Sequence, residues 1–304
     1  MSTSPAISVV MSVYNDVDTL PAALTSVLCQ ESVELEFIVV DDGSNDGSGQ
    51  LLDAAAARDP RLRVVHKGNE GLTRALMEGC ALAKAPWIAR QDSDDVSLPG
   101  RLRAQLDRAW QADTPALVSC GAMWRTPEGA DMFPSLPPRE PGALRRWILQ
   151  EGRSICAHGT AFFSRAAYEA VGGYRPAFYY AQDLDLFTRL ARHGAVEAVP
   201  DILYAYTFSP LSISTHSAPL QERFRELISR SDSSALREAS ELSQRIRAGG
   251  VRKVDPFSGY YFMGCNLRGK NPQVAARYFR RALARHPWSL RSVVRLLQCS
   301  GGKQ

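Results

Sequence analysis

The sequence predicts an α/β fold with a mostly parallel central sheet and helices on both of its faces. Short apolar runs alternate with segments of helical pattern through the first 95 residues. The runs are apolar throughout rather than at every second position, as in strands covered on both faces. Several of the runs also end abruptly in polar residues. This order is typical of open α/β sheets, whose ligands bind at the carboxyl ends of the strands.

The predicted elements follow one another with short connections. Between residues 114 and 141, six prolines make the chain turn-rich, and from about Leu220 onward the pattern is helical and basic. Apolar periodicity and start and stop residues place the other elements. The predicted strands are Ile7–Val13, Glu36–Val40, Leu62–Val65, Trp87–Gln91 and Thr160–Ser164, and the predicted helices are Thr19–Gln30, Gly47–Arg58, Gly71–Ala83, Gly142–Glu151 and Ala181–His193.

Composition excludes several classes of protein. The 304 residues are 45% hydrophobic and 22% charged, an ordinary globular balance that excludes disordered, collagen-like and coiled-coil chains. No apolar run approaches the roughly 20 residues of a membrane-spanning helix, and the N-terminus lacks the pattern of a secretory signal. Six cysteines contain no Cys-x-x-Cys pair. We therefore expect neither a zinc site nor a disulfide framework, and a reducing, cytoplasmic location.

Charge is distributed unevenly along the chain. Residues 1–218 carry a net charge of −7, whereas residues 219–304 carry 17 Lys and Arg against 6 Asp and Glu, a net charge of +11. A basic tail predicts a polyanionic neighbour or, equally, a solvated helical surface. No nucleic-acid-binding motif accompanies the tail, so no nucleic acid partner is expected. The remaining hypothesis is peripheral contact with the anionic inner face of a membrane.

The C-terminal segment has small and aromatic residues at helical spacing on both sides of Pro272. The pattern predicts a helical hairpin packed through alanines, and it resembles one unit of a tetratricopeptide-type repeat. A plain helical cap on the main domain and a self-association surface are both compatible with it. We therefore divide the chain into a domain at 1–218 and a basic helical region at 219–304 that ends in this hairpin.

Two polar clusters follow predicted strands and suggest chemistry. In Asp92–Asp95, carboxylates at alternate positions share one side of an extended loop, which suits Mg²⁺ or Mn²⁺, although an acidic loop that caps the next helix has the same pattern. The Asp41–Ser48 loop fits either a nucleoside pocket or a set of local turns. No Gly-x-Gly-x-x-Gly or Gly-Lys-Ser/Thr motif is present. A bound nucleotide would therefore need a metal at Asp94 to neutralise its phosphates.

Five segments together resemble family 2 glycosyltransferases, in the order found in that family. They are SVVMSVYN (8–15), VVDDGSNDGS (39–48), GLTRALMEG (71–79), ARQDSDD (89–95) and GGYRPAFYYAQDLDL (172–186). The resemblance covers about residues 5–215 and implies a GT-A fold. It also implies an inverting enzyme that moves a sugar from a nucleotide diphosphate donor, usually UDP, to an acceptor hydroxyl. The absence of a Gln-x-x-Arg-Trp motif argues against a processive polysaccharide synthase.

The resemblance also implies roles for individual residues. Asp183 would be the catalytic base and Asp94 the metal ligand. Asp42 would contact uracil, with Asp41 sharing that contact or bracing the loop, and Asp92 would bind the ribose side. The other donor-side candidates are Val13, Tyr14, Asn15, Ser93 and, for phosphate, Arg74 and Arg90. On the acceptor side they are His158, His216 and Gln182, which stands where the family more often has Glu.

Two other hypotheses compete with this one. A nucleotidyltransferase would need a glycine-rich basic loop after the first strand, and Ser12–Asp16 contains neither glycine nor a basic residue. A non-catalytic scaffold that binds partners through its basic helices is the remaining alternative. For the enzyme, the acceptor would be a glycan, a lipid-linked sugar or a protein, and the sequence does not select among them.

Overall fold

The computed structural model describes residues 4–140, 142–210, 218–230, 232–248 and 255–300. Within these ranges, nine strands form one sheet in the order β3-β2-β1-β4-β8-β6-β9-β5, and β7 pairs with β6. The strands are β1 (Ile7–Val13), β2 (Leu35–Asp41), β3 (Leu62–His66), β4 (Trp87–Asp92), β5 (Val96–Ser97), β6 (Pro115–Arg125), β7 (Asp131–Ser135), β8 (Phe162–Ser164) and β9 (Ala195–Thr207).

The parallel half of the sheet positions the candidate site. β1 pairs in parallel with β2 and β4, and β2 pairs in parallel with β3. Ser12 lies opposite Val40 on one side and Asp92 on the other. The polar segments that follow these three strands therefore open onto one edge of the sheet, as the sequence predicts.

The turn-rich segment at 114–141 contains two strands that the sequence pattern did not predict. β6 runs parallel to β9 and antiparallel to β8, and β7 pairs only with β6. Pro115 is the first residue of β6, and Pro134 lies in the edge strand β7. Proline lacks an N–H donor, and strand starts and sheet edges are the places that tolerate this. The prolines therefore suggested turns at positions where the structure has strands.

Helices cover both faces of the sheet. One hydrophobic core contains residues of α1, α2 and α4, and a second contains residues of α3, α5, α6 and α7. The described helices are α1 (Leu20–Leu28), α2 (Ser48–Ala56), α3 (Leu72–Leu82), α4 (Arg101–Gln111), α5 (Ala143–Gln150), α6 (Arg165–Ala170), α7 (Gln182–His193), α8 (Ala218–Arg230), α9 (Ser233–Ala248), α10 (Phe257–Leu267), α11 (Pro272–Arg285) and α12 (Leu290–Ser300).

The C-terminal helices pack on the sheet domain at two places. Phe224 of α8 and Ala239 of α9 share a core with Phe178 and Leu184. Helices α10 and α11 share a second core with Met132 beside β6 and Phe208 after β9. At Gly264, an added Cβ would lie 2.7 Å from the Phe279 ring, so the two helices approach closely through a small residue. The predicted helix pair is present, and the division of the chain at residue 218 stays a prediction.

A fully buried arginine connects the edge of the sheet to α4. The Arg101 guanidinium donates to Gln105, Gln91 and Ser97, and to the backbone carbonyls of Arg90 and Gly159. Because Arg101→Met leaves these buried acceptors without a donor, we expect it to lower the free energy of unfolding by about 3–5 kcal/mol. Urea unfolding followed by circular dichroism measures this change.

Arg103→Met is the matched control for that experiment. Arg103 lies on the same helix, but it is exposed and its ion pair is with Asp107 at the surface. An exposed pair of this kind contributes about 0–1 kcal/mol. Equal unfolding midpoints for the two variants would contradict the structural role given to Arg101.

Candidate active site

The loops after β1 and β2 are joined into one surface at the edge of the sheet. Asn15 has a positive φ of 56°, which turns its side chain and its backbone toward the second loop. Its N–H donates to Ser44 Oγ at 3.0 Å, and its Oδ1 accepts from the Asn45 N–H at 2.8 Å. The Val17 N–H donates to Asp46 Oδ2 at 3.0 Å. The two loops predicted to bind the nucleoside therefore form a single preformed wall.

Asp41 and Asp42 both brace this wall. The buried Asp42 carboxylate accepts the N–H groups of Glu70 and Gly71, at 2.9 and 2.7 Å, and so holds the start of α3. Asp41 Oδ1 accepts the Ser44 N–H at 3.0 Å, and Oδ2 lies 3.0 Å from His66 Nδ1. Both carboxylates therefore hold loop backbone, and the predicted contact of Asp42 with uracil stays a prediction.

Three other donor-side candidates differ in accessibility. The Val13 side chain is fully buried in the core, so only its backbone can face a ligand. Tyr14 is 48% exposed beside it. Arg74 is also exposed, with Glu70 as its ion-pair partner at 3.8 Å. Tyr14 and Arg74 therefore remain free to move toward a bound molecule, whereas Val13 does not.

Arg90 supports Asp92 from below. Arg90 is 1% exposed, and its Nη2 donates to Asp92 Oδ1 at 2.6 Å. The Asp92 backbone N–H donates to the Tyr204 hydroxyl at 3.1 Å. Direct contact between Arg90 and phosphate, expected from the sequence, does not fit this burial. Arg90 instead holds the Asp92 carboxylate in position.

Tyr204 was not singled out from the sequence, and neither was the glycine that accommodates it. An added Cβ at Gly159 would lie 1.9 Å from the Tyr204 hydroxyl oxygen, so no side chain fits at that position. Tyr204 lies in β9, 112 residues beyond the Asp92 N–H that it accepts. Only the folded chain brings Tyr204 and Gly159 to Asp92, which explains why no sequence signal marked these two residues.

Four carboxyl groups lie close together behind this edge. Burial, with the charges of Asp92 and Asp16, raises the pKa of Asp94 to about 7. Burial also raises the pKa of Asp16, although Ser93 Oγ donates to its Oδ2 at 2.5 Å. Asp95 is fully buried, and its pKa is raised well above the usual value by burial and then by Asp94 and Asp92. Burial and mutual repulsion therefore both oppose ionisation of these carboxyl groups.

The cluster can be tested for its fit to a divalent metal. No group of three or more Asp, Glu, His or Cys side chains in the described ranges is arranged to hold an ion. Asp95 Oδ2 is nevertheless buried without a hydrogen-bond partner in the described structure, next to the partly buried Asp94. A cation would relieve the repulsion among these carboxylates. The residues fit an ion shared with substrate phosphates, as Mg²⁺ usually is, rather than an ion held in a cage of protein ligands.

Asp183 lies in the first turn of α7. Ala181, directly before the helix, has a positive φ of 58° that turns the chain into it. The Asp183 Oδ2 accepts from Ser154 Oγ at 3.0 Å. Two residues on, the buried Asp185 pairs with Arg175 Nε at 3.0 Å and with Arg189 Nη2 at 2.6 Å. These ion pairs anchor the helix that carries Asp183.

His158 lies between the two sides. Its Nε2 is 2.8 Å from the Tyr174 hydroxyl. Burial, together with the positive charge of Arg90, lowers the pKa of His158 to about 4, while the charges of Asp92 and Asp183 oppose this shift. The charges of Asp92 and Asp183 therefore both act on His158, which places this side chain near the two carboxylates.

The last two acceptor-side candidates have different outcomes. Gln182 is the first residue of α7 and is partly buried beside Asp183. His216 lies outside the described residues, so its predicted role stays a prediction.

Comparison with known proteins defines the class of enzyme. The family model described as "Glycosyl transferase family 2" matches residues 8–172. This range includes the loops after β1, β2 and β4, and His158. The chain belongs to glycosyltransferase family 2. It is therefore a glycosyltransferase, as the motif order in the sequence implied.

Curated relatives agree with this assignment. The chain is 32% identical over 201 residues to the putative glycosyltransferase EpsE of Bacillus subtilis, covering 64% of this chain and 69% of EpsE. It is 42% identical over 106 residues to the succinoglycan biosynthesis protein ExoO of Rhizobium meliloti, covering 34% of this chain and 30% of ExoO. The match to ExoO thus spans less than a third of that protein.

Solved structures with the same architecture confirm the GT-A fold. The mannosyltransferase PcManGT from Pyrobaculum calidifontis, solved with GDP-Man and Mn²⁺, aligns with a TM-score of 0.55 at 21% identity, covering 98% of this chain and 80% of that one. Residues 1–349 of TarS from S. aureus align with a TM-score of 0.54 at 15% identity, covering 96% and 88%. At these identities the likeness concerns the fold.

Proposed function

We propose that the protein is an inverting, metal-dependent glycosyltransferase that moves a sugar from a UDP-sugar donor to an acceptor hydroxyl in glycan or polysaccharide biosynthesis. The observation that carries the proposal is that one segment, residues 154–159, contacts both groups of candidates. Ser154 Oγ donates to Asp183, and Gly159 lies against the Tyr204 hydroxyl that accepts the Asp92 N–H. The edge of the sheet offers carboxylates suited to a donor and a metal, and α7 offers a single carboxylate suited to an acceptor.

On the donor side, the wall formed by Asn15 and Ser44 would hold the nucleoside, with Tyr14 against the base and Asp92, fixed by Arg90, on the ribose. Asp94 would hold Mg²⁺ or Mn²⁺, and the ion would act as a Lewis acid on the charge of the departing diphosphate. PcManGT, which was solved with Mn²⁺, supports a divalent metal in this fold.

On the acceptor side, Asp183 would remove the proton of the attacking hydroxyl as the new bond forms at the anomeric carbon. Attack from the face opposite the diphosphate inverts that carbon and requires no covalent enzyme intermediate. Ser154 would orient the Asp183 carboxylate through its 3.0 Å hydrogen bond. His158, neutral at physiological pH because of its lowered pKa, would line the cleft without adding charge beside the donor.

The setting of the reaction is also part of the proposal. The six cysteines are free, which supports a reducing, cytoplasmic location. No helix within the described ranges has the length and apolar character needed to cross a bilayer. The acceptor would be a glycan, a lipid-linked sugar or a protein, and the name of ExoO, a succinoglycan biosynthesis protein, supports a glycan.

Calorimetry with UDP and GDP, each with and without Mn²⁺, tests the donor. We expect UDP to bind at least about tenfold more tightly with Mn²⁺ than without it, a difference of about 1.4 kcal/mol, and more tightly than GDP. A preference for GDP, the nucleotide bound by PcManGT, would contradict the UDP assignment. No metal-dependent heat with either nucleotide would favour the non-catalytic scaffold.

A further inference from the structure

The last helix presents an apolar stripe to solvent. Ser292 of α12 is fully buried against the rest of the protein, and the opposite side of the helix is exposed. The exposed apolar side chains recur three or four residues apart, as on one side of an α-helix. They are Leu290 (80% exposed), Val293 (38%), Val294 (51%) and Leu297 (66%), with Trp288 (94%) directly before the helix.

The segment of the chain that carries this stripe is basic. From residue 257 to residue 300 the chain contains eight Lys and Arg and no Asp or Glu. Arg295 of α12 and Arg268, directly after α10, both donate to Gln298, at the side of the stripe. Arg291 lies over the Tyr261 ring at 4.7 Å. The apolar stripe therefore has a rim of arginines.

The stripe has a fixed position on the catalytic domain. Glu128, in the turn between β6 and β7, accepts from the Tyr278 hydroxyl and from Arg281 Nη1, the latter at 2.9 Å. The Lys270 ammonium donates to the Met132 carbonyl oxygen. These contacts and the shared core with Phe208 hold α10 and α11 against β7, and α12 packs on them. A surface that binds through α12 would therefore orient the whole enzyme.

We propose that α12 lies in the interface of an anionic membrane leaflet, with its stripe in the acyl-headgroup boundary and its arginines among the anionic headgroups. Helices with an apolar face and a basic polar face bind membranes in this way, and tryptophan is suited to the boundary because its ring is amphipathic. This membrane contact is independent of the donor and of the catalytic roles proposed above.

Charge argues against a second copy of the chain as the occupant. A symmetric contact through α12 would place two such basic units together, with no carboxylate in residues 257–300 of either copy to pair with the arginines. Like charges brought together in this way are unfavourable. An anionic headgroup layer supplies the complementary charge over the full width of the surface.

Vesicle flotation of the full chain tests the proposal. We expect the protein to float with phosphatidylcholine vesicles that contain phosphatidylglycerol, and not with phosphatidylcholine alone. We expect Trp288→Ser/Leu297→Ser to reduce the membrane-bound to free ratio by about tenfold or more. Arg291→Gln/Arg295→Gln, which leaves the stripe intact, should reduce it by about fivefold per arginine at low salt.

Trp110→Ser is the matched control. Trp110 is 61% exposed on α4, outside the basic unit, and its loss should leave flotation unchanged. Because all the substituted positions of the stripe are exposed, far-UV circular dichroism and melting temperature should match those of the parent. Equal flotation on neutral vesicles, or parental flotation of both double variants, would overturn the proposal. A parent that is a dimer by light scattering and becomes a monomer in Trp288→Ser/Leu297→Ser would identify the stripe as a self-association surface instead.

Discussion

Asp183→Asn is expected to reduce the rate of sugar transfer at saturating donor and acceptor by about 10²–10⁴-fold while leaving donor affinity unchanged. The amide has nearly the same shape as the carboxylate, and its Oδ1 can still accept from Ser154 Oγ, so the local structure should persist. It cannot, however, accept the proton of the attacking hydroxyl. The loss should therefore appear in kcat, with the Kd for the donor nucleotide at its parental value.

Asp185→Asn separates this effect from damage to the helix. Asp185 is buried and pairs with Arg175 and Arg189, so its neutralisation leaves two arginines without their charge partner. We expect Asp185→Asn to lower the melting temperature, whereas Asp183→Asn should not. The catalytic role of Asp183 would be refuted if Asp183→Asn transferred sugar at the parental rate.

Asp94→Asn is expected to reduce kcat/KM by about 10²–10³-fold, because it weakens the electrostatic stabilisation of the departing diphosphate. Unlike Asp183→Asn, it should also remove most of the Mn²⁺-dependent part of UDP binding. Asp94 is held among Asp16 and Asp92, and their charges account for part of its raised pKa. An amide at position 94 would reduce that repulsion but would be a weaker ligand for a divalent cation.

Titration of activity and of UDP binding with Mn²⁺ distinguishes the two variants. For Asp94→Asn, the Mn²⁺ concentration at half-maximal activity should rise, and excess Mn²⁺ should recover part of the rate. Asp107→Asn, the same chemical change at an exposed position on α4, is the control and should follow the parental curve. An Asp94→Asn titration curve that coincides with the Asp107→Asn curve would contradict the assignment of Asp94 as a metal ligand.

The first half of the sheet was predictable because its signals are local. The apolar runs of β1 to β4 and the helices between them appear in the structure within about one or two residues of their predicted ends. β6 and β7 were missed because Pro115 and Pro134 indicated turns, whereas a strand start and a sheet edge tolerate proline. Here the position of a strand in the sheet outweighs the local preference of its residues.

The candidate site divides in the same way. Asp92, Asp94 and Asp183 are adjacent to elements that the pattern placed, so the sequence located them. The sequence did not indicate three other residues, because their partners lie on other elements of the fold. They are Arg101, Tyr204 and Asp185. The burial of Arg90 beside Asp92 also depends on tertiary packing. The sequence suggested that Arg90 touches phosphate, whereas in the structure its side chain holds the Asp92 carboxylate.

The joined loops after β1 and β2 have a thermodynamic consequence for nucleotide recognition. Asn15 is hydrogen-bonded to Ser44 and Asn45, and Asp46 accepts the Val17 N–H. A nucleotide that docked there as proposed would order little additional backbone, and the entropic penalty that flexible recognition loops impose on affinity would be correspondingly small. Discrimination between bases then depends on the shape of a stiff surface, so a substitution such as Asn15→Gly should loosen base selectivity more than it lowers overall nucleotide affinity.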